Sequence, residues 1–183
     1  MKKSVIILLS FIIKISFGLE TQAQQFQKGT TAVNAGFGLG TALGGLGNAR
    51  PAISASVDRG LWDIGGSGVI SLGGYVGNTG YKYSSEGYTA KWNYMIIGVR
   101  GAYHYNGFTK VPKLDVYGGA MLGYNMVRYS SDGDDMELGN TYGSGMGISG
   151  FLGSRWFFSD KIGAYAELGY GVSVLNVGVT FRF

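Results

Sequence analysis

Cysteine is absent from the chain. That excludes disulfides, thiolate metal sites and a thiol nucleophile, so an exported fold must hold without covalent staples. Charge is sparse as well, with 15 basic and 11 acidic residues among 183 and one histidine, His104. The cations are spread along the sequence, so the clustered electrostatic footprint of a nucleic-acid-binding protein is missing. Beyond the N-terminus no apolar run approaches the roughly 20 residues that a transmembrane helix needs. Residence in a membrane would then have to be through a closed β-barrel, the other structure that satisfies its own backbone.

Glycine and aromatic residues are abundant: 34 Gly, 13 Tyr, 10 Phe and 3 Trp. The glycines follow no triplet period, which excludes a collagen-like chain. The aromatics supply more large apolar surface than a disordered Gly-rich chain carries.

Met1-Lys2-Lys3 followed by the apolar run Ser4 to Ile13 reads as the charged and apolar regions of an export leader, with a cleavage site at Thr21-Gln22-Ala23. The alternative, an uncleaved anchor, needs a longer run. Residues 1–23 are expected to be removed and residues 24–183 to form one barrel domain. Lys2, Lys3, Lys14 and Glu20 leave with the leader; 12 basic and 10 acidic residues remain, a net charge of +2. Much of the apparent basicity is therefore a targeting signal.

Eight segments of the mature part alternate apolar with small or polar residues, the period of a strand with two different faces. They run Thr31–Gly40, Pro51–Asp58, Ser67–Gly77, Trp92–His104, Lys113–Val127, Tyr142–Phe158, Ile162–Gly171 and Val174–Phe183. Pro51 is placed at a strand start, where a missing N–H is tolerated. The connections alternate in length: long at Thr41–Arg50, Asn78–Lys91 and Arg128–Thr141, shorter at Arg59–Gly66, Tyr105–Pro112 and Ser159–Lys161. A fourth long-side connection, around Val172 and Ser173, is unusually short. The pattern predicts an all-β fold, an eight-stranded antiparallel up-and-down transmembrane β-barrel with both termini on the short-turn side. A soluble β-sandwich of similar strand count is the competing architecture.

Two features favour the barrel. Arg100, Asp115, Arg155 and Glu167 fall on the face opposite the apolar stripes, which in a barrel is the lumen, and folding adjacent strands together suggests the pairs Arg100–Asp115 and Arg155–Glu167. Aromatic residues also gather at strand ends. Tyr75, Trp92 and Tyr94 lie toward the long loops and Trp62, Tyr103, Trp156, Phe157 and Phe158 toward the short turns, as two interfacial girdles would.

The last strand, Asn176-Val177-Gly178-Val179-Thr180-Phe181-Arg182-Phe183, resembles the C-terminal assembly signal of outer-membrane barrels at Asn176, Gly178, Phe181 and Phe183. With Ile97–His104, Leu114–Gly119 and Ala166–Gly171 it makes nearly all of the mature chain similar to the small outer-membrane β-barrel domain family of Gram-negative bacteria, eight-stranded and porin-like. The resemblance implies the outer membrane as location, its lipid as surroundings, and barrel assembly machinery as a partner that takes up the terminal strand by β-augmentation. It implies little about activity, because one fold hosts many functions.

Candidate chemistry is thin. Gly36–Gly40 and Gly44–Gly47 lack the Lys-Ser/Thr and following helix of a phosphate loop. The acidic run Asp132-Gly133-Asp134-Asp135-Met136-Glu137 lacks the ligand spacing of a calcium loop and reads as a solvated tip. His104 would serve an acyl-chain enzyme only beside a carboxylate and a nucleophile at the outer leaflet, whereas the topology puts it at the opposite end, as a girdle or rim residue. No catalytic residue, cofactor or metal is expected. The expected function is a non-enzymatic structural barrel or a scaffold presenting surface loops, with Tyr81, Tyr83, Tyr88 and Tyr129 as contacts for an extracellular ligand; tyrosines packed on one another are the plainer reading. The alternative is a small porin-like diffusion channel. Eight strands leave a lumen that side chains can fill, and inward Arg100, Tyr117, Phe151, Arg155, Tyr165 and Glu167 are large enough to do so.

Overall fold

The computed structural model describes residues 25–39, 48–66, 68–85, 88–131 and 144–183, with the backbone alone at 48, 49, 83, 85, 88 and 131. The expected leader, the Gly44–Gly47 loop and the acidic run at Asp132–Glu137 lie outside the described residues. Eight strands follow one another: β1 (Thr31–Leu39), β2 (Asn48–Asp63), β3 (Gly68–Ser85), β4 (Tyr88–Tyr105), β5 (Leu114–Ser131), β6 (Gly145–Phe157), β7 (Ile162–Gly169) and β8 (Leu175–Arg182). Each pairs antiparallel with its sequence neighbours, and β1 pairs with β8 to close the barrel. The all-β, eight-stranded up-and-down barrel read from the sequence is the fold observed.

The two faces of each strand carry opposite chemistry, and their placement inverts that of a soluble protein. Phe37, Val99 and Ile148 point outward at 63%, 65% and 83% exposure, and similar apolar side chains line the outside of all eight strands. Asp58, Arg100, Asp115, Arg155 and Glu167 point inward and are buried. A soluble sandwich would leave the charge in water and bury the apolar stripes, since contiguous apolar patches of this extent are rare on soluble monomers.

Several boundaries differ from those expected. The connection expected at Asn78–Lys91 is a paired hairpin: β3 and β4 stay in register out to Ser85 opposite Tyr88, and β5 continues to Ser131. Each of these three strands has 18 residues, about 60 Å of chain, whereas a tilted strand crosses the apolar layer in about 10. The hairpins therefore project well past any apolar layer. Outside lipid the alternation loses its apolar half, which is why the sequence pattern stopped early. Pro51 is not at a strand start; it sits inside β2, in a register irregularity between Arg50 and Ile53. Such a bulge leaves a residue unpaired, so the missing N–H disrupts no ladder bond.

Both ends of the lumen are stoppered. At the end that carries the termini, Gly29 with φ +91° turns the chain so that residues 25–30 fold back under the barrel. Gly29 N–H donates to Gly60 O at 2.8 Å and Gly60 N–H to Thr30 O at 2.9 Å. This buries Phe26 against Ala32 and Val69. At the other end, the short connection between β7 and β8 dips inward, and Val172 packs among Ala52, Tyr75, Ile96 and Met121.

Candidate functional site

The ionisable groups of the lumen form one connected network. It is assembled from strands that are mostly not neighbours. Arg155 on β6 donates from Nε to Asn34 Oδ1 of β1 at 3.0 Å, from Nη1 to Asp115 Oδ2 of β5 at 2.8 Å, and from Nη2 to Asp58 Oδ2 of β2. Arg100 on β4 makes a two-pronged contact with Glu167 of β7, Nη1 to Oε1 at 3.1 Å and Nη2 to Oε2 at 2.7 Å. Its Nε lies 3.0 Å from Asp58 Oδ1, an ion contact off the line of a hydrogen bond. Asp58 thus bridges both guanidiniums. Tyr117 donates to Glu167 Oε2 at 3.0 Å. The guanidiniums lie over aromatic faces, Arg100 3.8 Å from the Phe151 centroid and Arg155 4.2 Å from that of Tyr117. Cation–π contact and charge-assisted hydrogen bonds together offset the large desolvation cost of buried ions.

The network ends in a serine, a histidine and an aspartate in line. Ser71 Oγ is 2.9 Å from His104 Nε2, and His104 Nδ1 is 2.9 Å from Asp115 Oδ1. Those are nucleophile–base–carboxylate distances, yet the surroundings oppose acyl transfer. Ser71 and His104 have no exposed surface, Asp115 is held by Arg155, and the Phe26 ring stacks on the imidazole at 3.7 Å, nearly parallel. A nucleophile needs an approach for its substrate and donors facing the developing oxyanion. Beside Arg100 and Glu167 the lumen leaves a void of about 10 Å³, room for at most one water. Among the described residues no group of three or more His, Asp or Glu is arranged to hold a metal ion.

Arg100, Asp115, Arg155 and Glu167 all face the lumen, but the expected partners are exchanged: Arg100 pairs with Glu167 and Arg155 with Asp115. Asp58, which the sequence placed on the inward face without a partner, is the hub. His104 is not a rim residue; it is buried in the network, four residues from Arg100 on the same face. Tyr75 and Phe157 are not girdle residues either. Tyr75 belongs to the inner stopper and Phe157 stacks under Arg182, whose Cζ is 4.2 Å from its centroid. Trp62, Tyr103, Trp156 and Phe158 do point outward near the short turns.

Tyr81 and Tyr129 stand on strands rather than loops. Both flank Trp92, at centroid distances of 6.1 Å and 5.1 Å, in an aromatic row across β3, β4 and β5. Tyr83 and Tyr88 lie on the same hairpin, and their side chains are outside the described set. In the last strand Asn176 is buried and accepts from Ser54 and Ser173 at 3.1 Å and 2.8 Å, while Phe181 and Phe183 point outward. Gly178 faces Gly36 across the closing β1–β8 seam. A methyl group there would overlap the Ala35 carbonyl.

No protein-family model matches the sequence, and no curated protein matches it. Solved structures do share the architecture. Ail, the attachment invasion locus protein of Yersinia pestis, crystallised with the heparin analogue sucrose octasulfate, superposes with a TM-score of 0.53 at 11% identity, over 86% of this chain and all of that one. The N-terminal β-barrel domain of Pseudomonas aeruginosa OprF gives a TM-score of 0.46 at 14% identity, over 85% of this chain and 98% of that domain. The likeness to Ail shows the fold: this chain is built as the small eight-stranded outer-membrane barrels are.

Proposed function

We propose that this chain is an outer-membrane protein of a Gram-negative bacterium, delivered by a cleaved leader at residues 1–23, whose barrel is a closed, non-enzymatic scaffold for its projecting hairpins. The observation that carries the reading is the filled lumen. Phe26 and Val172 stopper it, and the Asp58–Arg100–Arg155 network spans it between them. An interior packed in this way offers no continuous water path, which favours the scaffold over a diffusion channel. Asn176, Gly178, Phe181 and Phe183 fit a terminal strand handed to assembly machinery by β-augmentation before β1 closes against it. The hairpins beyond the apolar belt, with Tyr81 and Tyr129 in their walls, are the surface available to an extracellular ligand.

Single-channel conductance of the mature protein in a planar bilayer tests the reading against an Arg100→Ala, Arg155→Ala double variant. Silence in the wild type with leak in the variant supports the plugged scaffold. Stable wild-type conductance overturns it in favour of a channel.

A further inference from the structure

The outside of the barrel changes character abruptly where the hairpins leave the apolar belt, and the change is confined to β2–β5. Along β3 the outward series runs Leu72, Val76, Asn78, Gly80, Lys82; along β4 it runs Val99, Ile97, Met95, Asn93, Lys91. Lys82 and Lys91 are directly opposite each other in the antiparallel register. Like charges so placed, with Cβ atoms about 5 Å apart, destabilise a sheet unless an anion lies between them. Arg128 of β5 stands opposite Asn93 on the same outer face.

Arg50 joins this group because of the β2 irregularity. By alternation with the buried Ala52 it would point inward, but the register shift turns it out to face Gly80. Its guanidinium lies flat over that glycine, where an added Cβ would be 3.2 Å from Nη2. There it donates to Asn78 Oδ1, and Asn78 Nδ2 donates to Asn93 Oδ1 at 2.7 Å. Four exposed cations and two asparagines therefore form a band over four adjoining strands. None of the printed ion pairs among the described residues involves these cations. Immediately on the belt side is a shallow concave strip lined by Val57, Val76, Ile97, Leu122, Tyr124 and Met146, floored by Gly74, Gly98 and Gly123.

We infer that the band of Arg50, Lys82, Lys91 and Arg128 is a binding site for the phosphorylated headgroup of an outer-leaflet lipid, whose acyl chains lie along the glycine-floored strip. The inference rests on the membrane-barrel reading above. Charge complementarity selects an anion, and continuity of the cations with an apolar strip selects an anion that carries acyl chains. A soluble anion would have no use for the strip. The bulge that re-aims Arg50 and the glycine that makes room for it pre-order one of the cations, which lowers the entropic cost of gripping a phosphate.

The test uses the mature barrel, folded first into phosphatidylcholine vesicles and verified there by heat-modifiable gel migration. Binding of a bisphosphorylated, acylated glucosamine disaccharide is then followed by native mass spectrometry. Each basic residue at a charged membrane surface contributes about a fivefold change in affinity, so an Arg50→Gln, Lys82→Gln, Lys91→Gln, Arg128→Gln variant should lose about a hundredfold or more. A Lys113→Gln, Lys161→Gln variant, altered at the other end of the barrel, should bind as wild type does. Equal loss in both variants, or no lipid binding by an inserted wild-type barrel, overturns the site while leaving the barrel reading intact. Pyrophosphate competing as effectively as the whole lipid overturns the lipid as occupant in favour of a soluble anion. Failure to insert into the vesicles removes the membrane-barrel reading and the site with it.

Discussion

Arg155 is the residue whose loss the lumen should tolerate least. Replacing it with Met keeps an unbranched side chain of similar reach and removes only the guanidinium. The change deprives Asn34, Asp115 and Asp58 of a donor at once. Asp58 keeps Arg100 and Asp115 keeps His104, so neither carboxylate is wholly abandoned, but both lose a partner while staying buried. Breaking a buried ion pair from one side costs about 3–5 kcal/mol. With a urea dependence of about 2 kcal/mol per molar, the unfolding midpoint in vesicles should fall by about 2 M, read from tryptophan fluorescence and gel migration. Arg155→Lys keeps the charge but cannot direct three donors in a planar fork, so it should fall in between. Asp115→Asn in the Arg155→Met background should cost less than in the wild type, by about 0.5–3 kcal/mol of coupling. A midpoint shift under about 0.5 M, or strict additivity of the two changes, would refute the account of the lumen as a coupled ion network.

Two further perturbations address the outside and the seam. Val99→Arg, at a position 65% exposed, should destabilise the barrel in vesicles by about 2–4 kcal/mol because that side chain faces lipid; in a soluble protein a surface change stays within about 0.5 kcal/mol, and a value that small measured in vesicles would contradict the membrane orientation. Gly178→Val should prevent β8 from closing on β1, seen as loss of the heat-modifiable folded band, while Gly145→Val, where an added methyl meets open space, should fold normally.

The faces of the strands were legible in the sequence, and the contacts across the lumen were not. Alternation assigned Met146, Ile148, Leu152 and Trp156 to the outside and Arg155 to the inside, which is how β6 stands. A period of two says which way a side chain points and nothing about what it meets. Folding hairpins flat brings Arg100 toward Asp115, because only neighbouring strands touch in a flat sheet. Closing and shearing the sheet sets β4 facing β7 and β6 facing β2, and the partners change accordingly. His104, Tyr75 and Phe157 carried a readable signal, since each shares the parity of an inward neighbour: Arg100, Ser71 and Arg155. Position near a strand end was weighed above parity, and parity was the better guide. Phe26 and Val172 had no such signal. They lie outside the strands, and their burial follows from the shape of the lumen mouths, which exists only once the barrel is closed.

That dependence on closure suggests what the buried charges do beyond stability. The hypothesis is that they check register. Arg155 meets acceptors from β1, β2 and β5 together, so a two-residue slip of β6 would carry its guanidinium about 7 Å from all of them. A one-residue slip would turn it toward lipid. An apolar interior would tolerate either error more readily, because apolar contacts are non-directional. Replacing Asp58, Asp115 and Arg155 together with Leu separates the two roles. Such replacements of buried ion clusters are often neutral or stabilising, so the variant molecules that fold should resist urea about as well as wild type. The fraction reaching the heat-modifiable state on refolding into vesicles should nevertheless drop, and disulfide trapping between cysteine pairs introduced across β5 and β6 should report misregistered species. A refolding yield equal to wild type, with a single trapped register, would show that the backbone and the outer apolar stripe suffice to set the register, and would leave the network only its energetic role.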